Sequence, residues 1–115
     1  MTQLPAGSAF DPTTIGVEFE PIDQDQVRSG SPQTRYLDVD ETDHRTIGVW
    51  EHTAGVSTDV EVDEVFVVLA GSGSLAFEGP VLPSIDLRPG TIVRLTAGMR
   101  TVWTITETLR KVYIA

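Results

Sequence analysis

Glu64-Val65-Phe66-Val67-Val68-Leu69-Ala70-Gly71 is the stretch whose reading decides the fold. Its apolar residues are consecutive rather than alternate, so as a β-strand it is apolar on both sides and calls for cover on both faces. Gly71-Ser72-Gly73 follows and reads as a break. Working outward, similar short runs of Val, Ile, Thr and aromatic residues recur about every 8 to 12 residues, the spacing of an all-β sandwich or barrel. They place strands near 35–40, 46–53, 64–70, 73–78, 84–87, 92–95, 101–106 and 109–114. Asp40 to Asp43, Gly79-Pro80, Pro89-Gly90 and Ala97-Gly98 supply the turns between them. No apolar period of 3.6 residues lasts three turns, so very little helix is expected.

Upstream, residues 1–34 carry Pro5, Pro12, Pro21 and Pro32. This segment reads as an extended arm with at most short edge strands, Gly16 to Glu20 being the one candidate, that packs on the barrel or on a partner subunit. Residues 35–115 form the barrel. A body of 115 residues covers only a limited area by itself. The two-sided apolar strand therefore predicts a homodimer.

The chain sets 8 Lys and Arg against 17 Asp and Glu, a net charge of −9. Such a surface repels phosphate and anionic lipid, which argues against nucleic acid and membrane partners and favours a neutral or cationic ligand. The absence of cysteine excludes disulfides, thiolate zinc sites and cysteine nucleophiles. The opening residues have neither the basic start nor the apolar run of a signal peptide, and a cytoplasmic location is expected.

Two motifs now come into view. Gly55 to Gly71 places Gly55, Glu64 and Gly71 at the spacing of the first cupin motif, and Arg88 to Trp103 places Gly90 and Gly98 in the frame of the second. With Gly48-Val49-Trp50-Glu51 and the closing run from Trp103 to Tyr113, the chain resembles cupins of the group related to (S)-ureidoglycine aminohydrolase and to ethanolamine-utilisation cupins. The resemblance implies an RmlC-like jelly roll, a double-stranded β-helix, with a small-molecule cavity between its sheets. Glycines 71, 90 and 98 fall where such turns need positive φ or close backbone approach.

The resemblance also implies where a metal would bind. In metal cupins two histidines and a glutamate from the first motif and a histidine from the second converge on the ion. Here the first pair falls on Ser57 and Asp59, or on Thr58 and Val60, while Thr101 stands at the second-motif histidine and Thr96 at its proline. Glu64 alone is retained. No cofactor is therefore expected; Asp59, Glu61, Asp63 and Glu64, within six residues, are what remains for a hard cation, Asp59 and Glu64 foremost. Asp59, Glu61 and Asp63 otherwise read as a solvated acidic face.

Period-two counting puts Phe66 and Val68 on the side of Glu64, Trp50 with His52, Thr101 with Trp103, and Lys111 with Tyr113. Glu64 facing apolar neighbours is the candidate acid/base, with Thr101 or water as its partner if its role is structural. His52 is a candidate base, and His44 lies in a polar turn. Trp50, Phe66, Thr101, Trp103 and Tyr113 are the expected ligand-binding residues. One basic residue of the last strand is expected to pair with Glu51 or Glu107. Serines 57, 72, 74 and 84 lack the context of a nucleophile elbow. The reading that follows is a barrel binding a small polar metabolite, with an enzyme of ureide or amine metabolism using Glu64 as the alternative.

Overall fold

The structure is a computed structural model and describes residues 2–115. Nine strands follow in order: β1 (Glu20–Pro21), β2 (Val27–Ser29), β3 (Gln33–Glu41), β4 (Thr46–His52), β5 (Gly55–Val60), β6 (Glu64–Gly79), β7 (Val81–Leu87), β8 (Ile92–Leu95) and β9 (Arg100–Ile114). The only helical element among the described residues is a single 3-10 turn, Gln24–Gln26. No described helix is long and apolar enough to cross a membrane.

Two long strands form the spine of this curled sheet. β6 and β9 run antiparallel from the Val65–Ile114 pair to the Gly79–Arg100 pair. The first half of β6 also pairs with β8 and its second half with β7. On the other side of the spine, β9 pairs with β5 through its first half and with β4 through its second. The halves of each long strand thus serve opposite walls of one barrel, and the core fills the space between them: Phe66, Val68, Leu75, Phe77, Leu87, Val93, Leu95, Trp103, Ile105 and Leu109.

The expected breaks at Gly71-Ser72-Gly73 and at 107–108 are therefore bends within continuous strands. The ladder shifts register between Val68 and Ala70, Ala70 and Ser72, and Ser72 and Gly73, which curls the strand without ending it. Gly71 permits the bend. It has φ 90°, and a Cβ there would lie 2.7 Å from Leu109 Cα and against the Thr108 carbonyl oxygen.

Three other boundaries depart from expectation. β5 is an additional strand; its sequence Gly-Val-Ser-Thr-Asp-Val is too polar to read as one, and pairing with β9 is what makes it extended. β7 begins at Val81, immediately after the Gly79-Pro80 turn. Residues 16–19 are not a strand, and the Val17 carbonyl accepts a hydrogen bond from Arg35 Nη1 at 2.9 Å rather than joining a ladder.

The arm lies on the outer face of its own barrel. Leu4, Phe10 and Ile15 pack with Leu37, Val39, Val49 and Val112, and the Leu4 N–H donates to Asp40 Oδ1 at 2.8 Å. Beneath the arm, Glu51 is 2% exposed and accepts from Arg35 at 2.8 Å and Arg110 at 3.4 Å, which meets the expectation of a basic partner from the last strand. The outer side of β6 remains open beyond the arm, with Val65 and Leu69 both more than one-third exposed. Within one chain, cover on both faces is incomplete.

Gly71→Ala combines an unfavourable φ with a backbone collision, and overpacking alone costs ~1–3 kcal/mol. The expected outcome is a fall in urea midpoint corresponding to at least that loss; an unchanged midpoint would show that the bend tolerates a side chain.

Candidate functional site

Among the described residues, one side-chain cation occupies the barrel interior. Lys111 points inward from β9 and is 4% exposed, and its ammonium pairs with the Glu64 carboxylate. The Nζ also lies 4.3 Å from the ring centroid of Phe66, 4.6 Å from Trp50 and 4.8 Å from Trp103. The three rings present their faces to a desolvated ammonium, each such contact being worth up to about 2 kcal/mol. Trp50 and Trp103 touch each other at 5.1 Å between centroids, and Trp103 lies 5.6 Å from Phe66. The wall is preassembled.

A second carboxylate lies beside this cage without a basic partner. The Glu61 backbone continues the run of β5, its N–H donating to the Met99 carbonyl at 2.8 Å and its own carbonyl accepting from the Gly98 N–H. Alternation then puts its side chain on the side of Ser57 and Asp59. Glu61 is 6% exposed, and its Oε2 accepts from Thr101 Oγ1 at 2.6 Å and from Trp103 Nε1 at 3.1 Å. Oε1 takes neither bond. Burial pushes the carboxyl above the usual glutamate range against the pull of these donors. Asp59, exposed at the rim, is raised by the same desolvation.

Two clefts open at this end of the barrel and share Trp50, Asp59 and Trp103. One, of about 290 Å³, is completed by Tyr36, Val60, Glu61, Val62, Glu64, Lys111 and Tyr113. Tyr113 donates to Asp38 Oδ1 at 2.6 Å, and burial together with that carboxylate raises its phenol well above the ordinary value. The other cleft, of about 310 Å³, holds His52 and Ser57 together with Gln26, Thr34 and Thr58. His52 is buried, which lowers its pKa.

The expected site residues thus gather at one end of the barrel. Trp50, Trp103, Tyr113, Asp59 and Glu64 line the first cleft, and His52 faces the second. Phe66 and Thr101, each 1% exposed, lie beneath the clefts and hold Lys111 and Glu61 in place. Glu64 is partnered by Lys111, not by Thr101, and Glu61 is buried, not part of a solvated acidic face. The sequence reading gave Lys111, Glu61 and Ser57 other places: a face shared with Tyr113, an acidic surface and a vacated histidine position. The signal for Glu61 was its place two residues beyond Asp59 and four beyond Ser57, positions already assigned to the inward histidines of metal cupins.

A metal ion does not fit the donor set. The retained glutamate is neutralised by an ammonium, Thr101 Oγ1 donates its proton to Glu61, and no three His, Cys, Asp or Glu residues among those described are disposed to hold an ion.

A curled all-β barrel with its polar groups gathered at one mouth fits the cupin jelly roll. The EutQ-like cupin domain family matches residues 39–113, and the chain belongs to it. Its structural relatives include a cupin superfamily protein from Desulfitobacterium hafniense, 14% identical with a TM-score of 0.66, covering 99% of this chain and 94% of that one. The EutQ protein of Clostridium difficile is 15% identical with a TM-score of 0.56, over 83% of this chain and 78% of that one. A protein of unknown function from Pseudomonas syringae is 24% identical with a TM-score of 0.71; 93% of this chain is covered but only 46% of that one. No curated protein matches the chain.

Lys111→Met leaves a buried carboxylate uncompensated, which costs ~3–5 kcal/mol. Adding Glu64→Gln removes that charge, so the double variant is expected to recover much of the loss in chemical denaturation. Additive losses in the singles and the double would show that the two groups do not depend on each other.

Proposed function

We propose that this cupin binds a small amine or ureide at the barrel mouth, without a histidine-based metal site. The supporting observation is Glu61: a buried carboxylate with no basic partner, one oxygen fixed by two donors and the other left unbonded in the cleft. Glu64 is already satisfied by Lys111. Glu61 and Asp59 therefore give the mouth an excess of negative charge, and Trp50 and Trp103 give it aromatic walls, a combination suited to an N–H-rich cation.

The alternative, a hydrolase of ureide or amine metabolism using Glu64 as acid/base, has less support because that carboxylate is held by an ammonium. In such an enzyme Glu61, whose pKa is raised by burial, is the better proton carrier. The open outer face supports pairing of two copies. Val65 with Ile114, and Val67 with Ile92, are cross-strand neighbours there, and Val65, Ile92 and Ile114 are exposed.

Calorimetric titration with ethylamine, methylguanidine and N-methylurea tests the ligand class. Binding of the two cations requires ionised Glu61, so their affinity is expected to rise as pH climbs from about 4.5, the ordinary glutamate value, through the raised one. Glu61→Gln is expected to weaken binding about tenfold or more, the loss of a charged hydrogen bond. No heat with any probe across that range would remove the proposal.

Size-exclusion chromatography with light scattering tests the pairing. A dimer at micromolar concentration that becomes a monomer with Val65→Glu is expected; a wild-type monomer would overturn it.

A further inference from the structure

We infer that Ser57 is an activated nucleophile, with His52 as its general base, that takes an acyl group from small neutral or cationic carboxylic esters. The tertiary structure assembles this pair. Ser57 sits opposite Trp103 on β5, while His52 ends β4, and their side chains meet inside the second cleft with His52 Nε2 2.8 Å from Ser57 Oγ.

The proton positions follow from the neighbours. His52 Nδ1 lies 2.6 Å from the Thr53 carbonyl oxygen, which can only accept, so Nδ1 carries the proton. Nε2 is then a lone pair, and the Ser57 hydroxyl donates to it. A hydroxyl donating to an imidazole whose far nitrogen is fixed by a third group is the arrangement by which a serine is activated. Burial lowers the pKa of His52 and keeps the imidazole in its basic form at neutral pH.

The cleft sets the substrate class. Among its lining residues there is no Lys or Arg, and Asp23 and Asp59 are acidic, so an anionic ester is repelled. Trp50 and Trp103 offer apolar contact for an acyl chain. Gln26 gives one amide N–H to the Thr58 carbonyl at 3.3 Å and has a second for a developing oxyanion.

In the reaction, Ser57 Oγ attacks the ester carbonyl carbon as its proton passes to His52 Nε2. The tetrahedral intermediate collapses by breaking the bond to the alcohol oxygen, and the alcohol leaves with that proton. Water then adds to the acyl carbon, gives a proton to Nε2 and displaces Ser57, releasing the carboxylic acid and restoring the hydroxyl. A neutral carbonyl orients His52 where hydrolases more often use a carboxylate, so the imidazolium is less stabilised and turnover is slow.

The test uses the whole chain with diisopropyl fluorophosphate, in which the serine oxygen displaces fluoride, followed by intact mass and peptide mapping. One adduct per chain at Ser57 is expected, at a rate that is level at neutral pH and falls only below the ordinary histidine range. p-Nitrophenyl acetate is expected to give an acyl adduct on the same residue. Ser57→Ala should abolish both, and His52→Gln should slow labelling about 100-fold or more. If His52→Gln unfolds the barrel, the wild-type pH profile supplies the same information. No adduct at Ser57, labelling no faster than at exposed Ser31 and Ser84, or a rate indifferent to histidine protonation would overturn the proposal.

Discussion

The ammonium of Lys111 is the constraint around which the interior is arranged. A charge that is 4% exposed needs compensation, and it has one carboxylate, Glu64, and three ring faces from three different strands. β4 contributes Trp50, β6 contributes Glu64 and Phe66, and β9 contributes Trp103 and Lys111 itself. These partners can converge only if the β6 and β9 ladder bends, because Trp103 lies on the half of β9 that pairs with β5 and Lys111 on the half that pairs with β4. The close approach of Gly71 to the backbone at Thr108 and Leu109 makes the bend possible. A buried ion pair is weak evidence of stability as such. Here its consequence is positional, since it fixes three aromatic rings and uses the one glutamate retained from the metal-binding pattern.

The remaining buried acids are distinguished by what lies beside them. Glu51 faces outward beneath the arm and is held by Arg35 and Arg110, so it helps fasten the arm, together with the stacking of Arg35 on Phe19 at 4.3 Å. Glu61 faces inward and meets only neutral donors. The same residue type thus serves as fastening in one place and as an available charge in another. A net charge of −9 is spread over the whole chain, but at the first cleft its part without a basic partner is set by Glu61 and Asp59.

Much of the architecture was readable because it depends on local chemistry. Turn glycines punctuate it, and Gly71, Gly90 and Gly98 adopt φ of 90°, 94° and 88° as their spacing implied. The strand at 64–70 declared itself through its apolar run. β5 did not, since Ser57, Thr58 and Asp59 have no strand signature and become extended by lying between β2 and β9. Reading 64–79 and 100–114 as broken strands had the same origin: a glycine-rich bend and a chain break look alike in sequence.

By itself the sequence determined an all-β barrel of the cupin pattern and the loss of its histidine ligands, because turn chemistry, apolar runs and residue identity act over a few positions. It also determined which residues face inward wherever alternation held, bringing Trp50, His52, Glu64, Trp103 and Tyr113 into view. Only the tertiary structure decided the pairings: Glu64 with Lys111 across 47 positions, Glu61 with Thr101 across 40, and His52 with Ser57 across a strand turn. Partnership depends on which strands become neighbours and where the long ones bend, and these are properties of the closed sheet rather than of any segment within it.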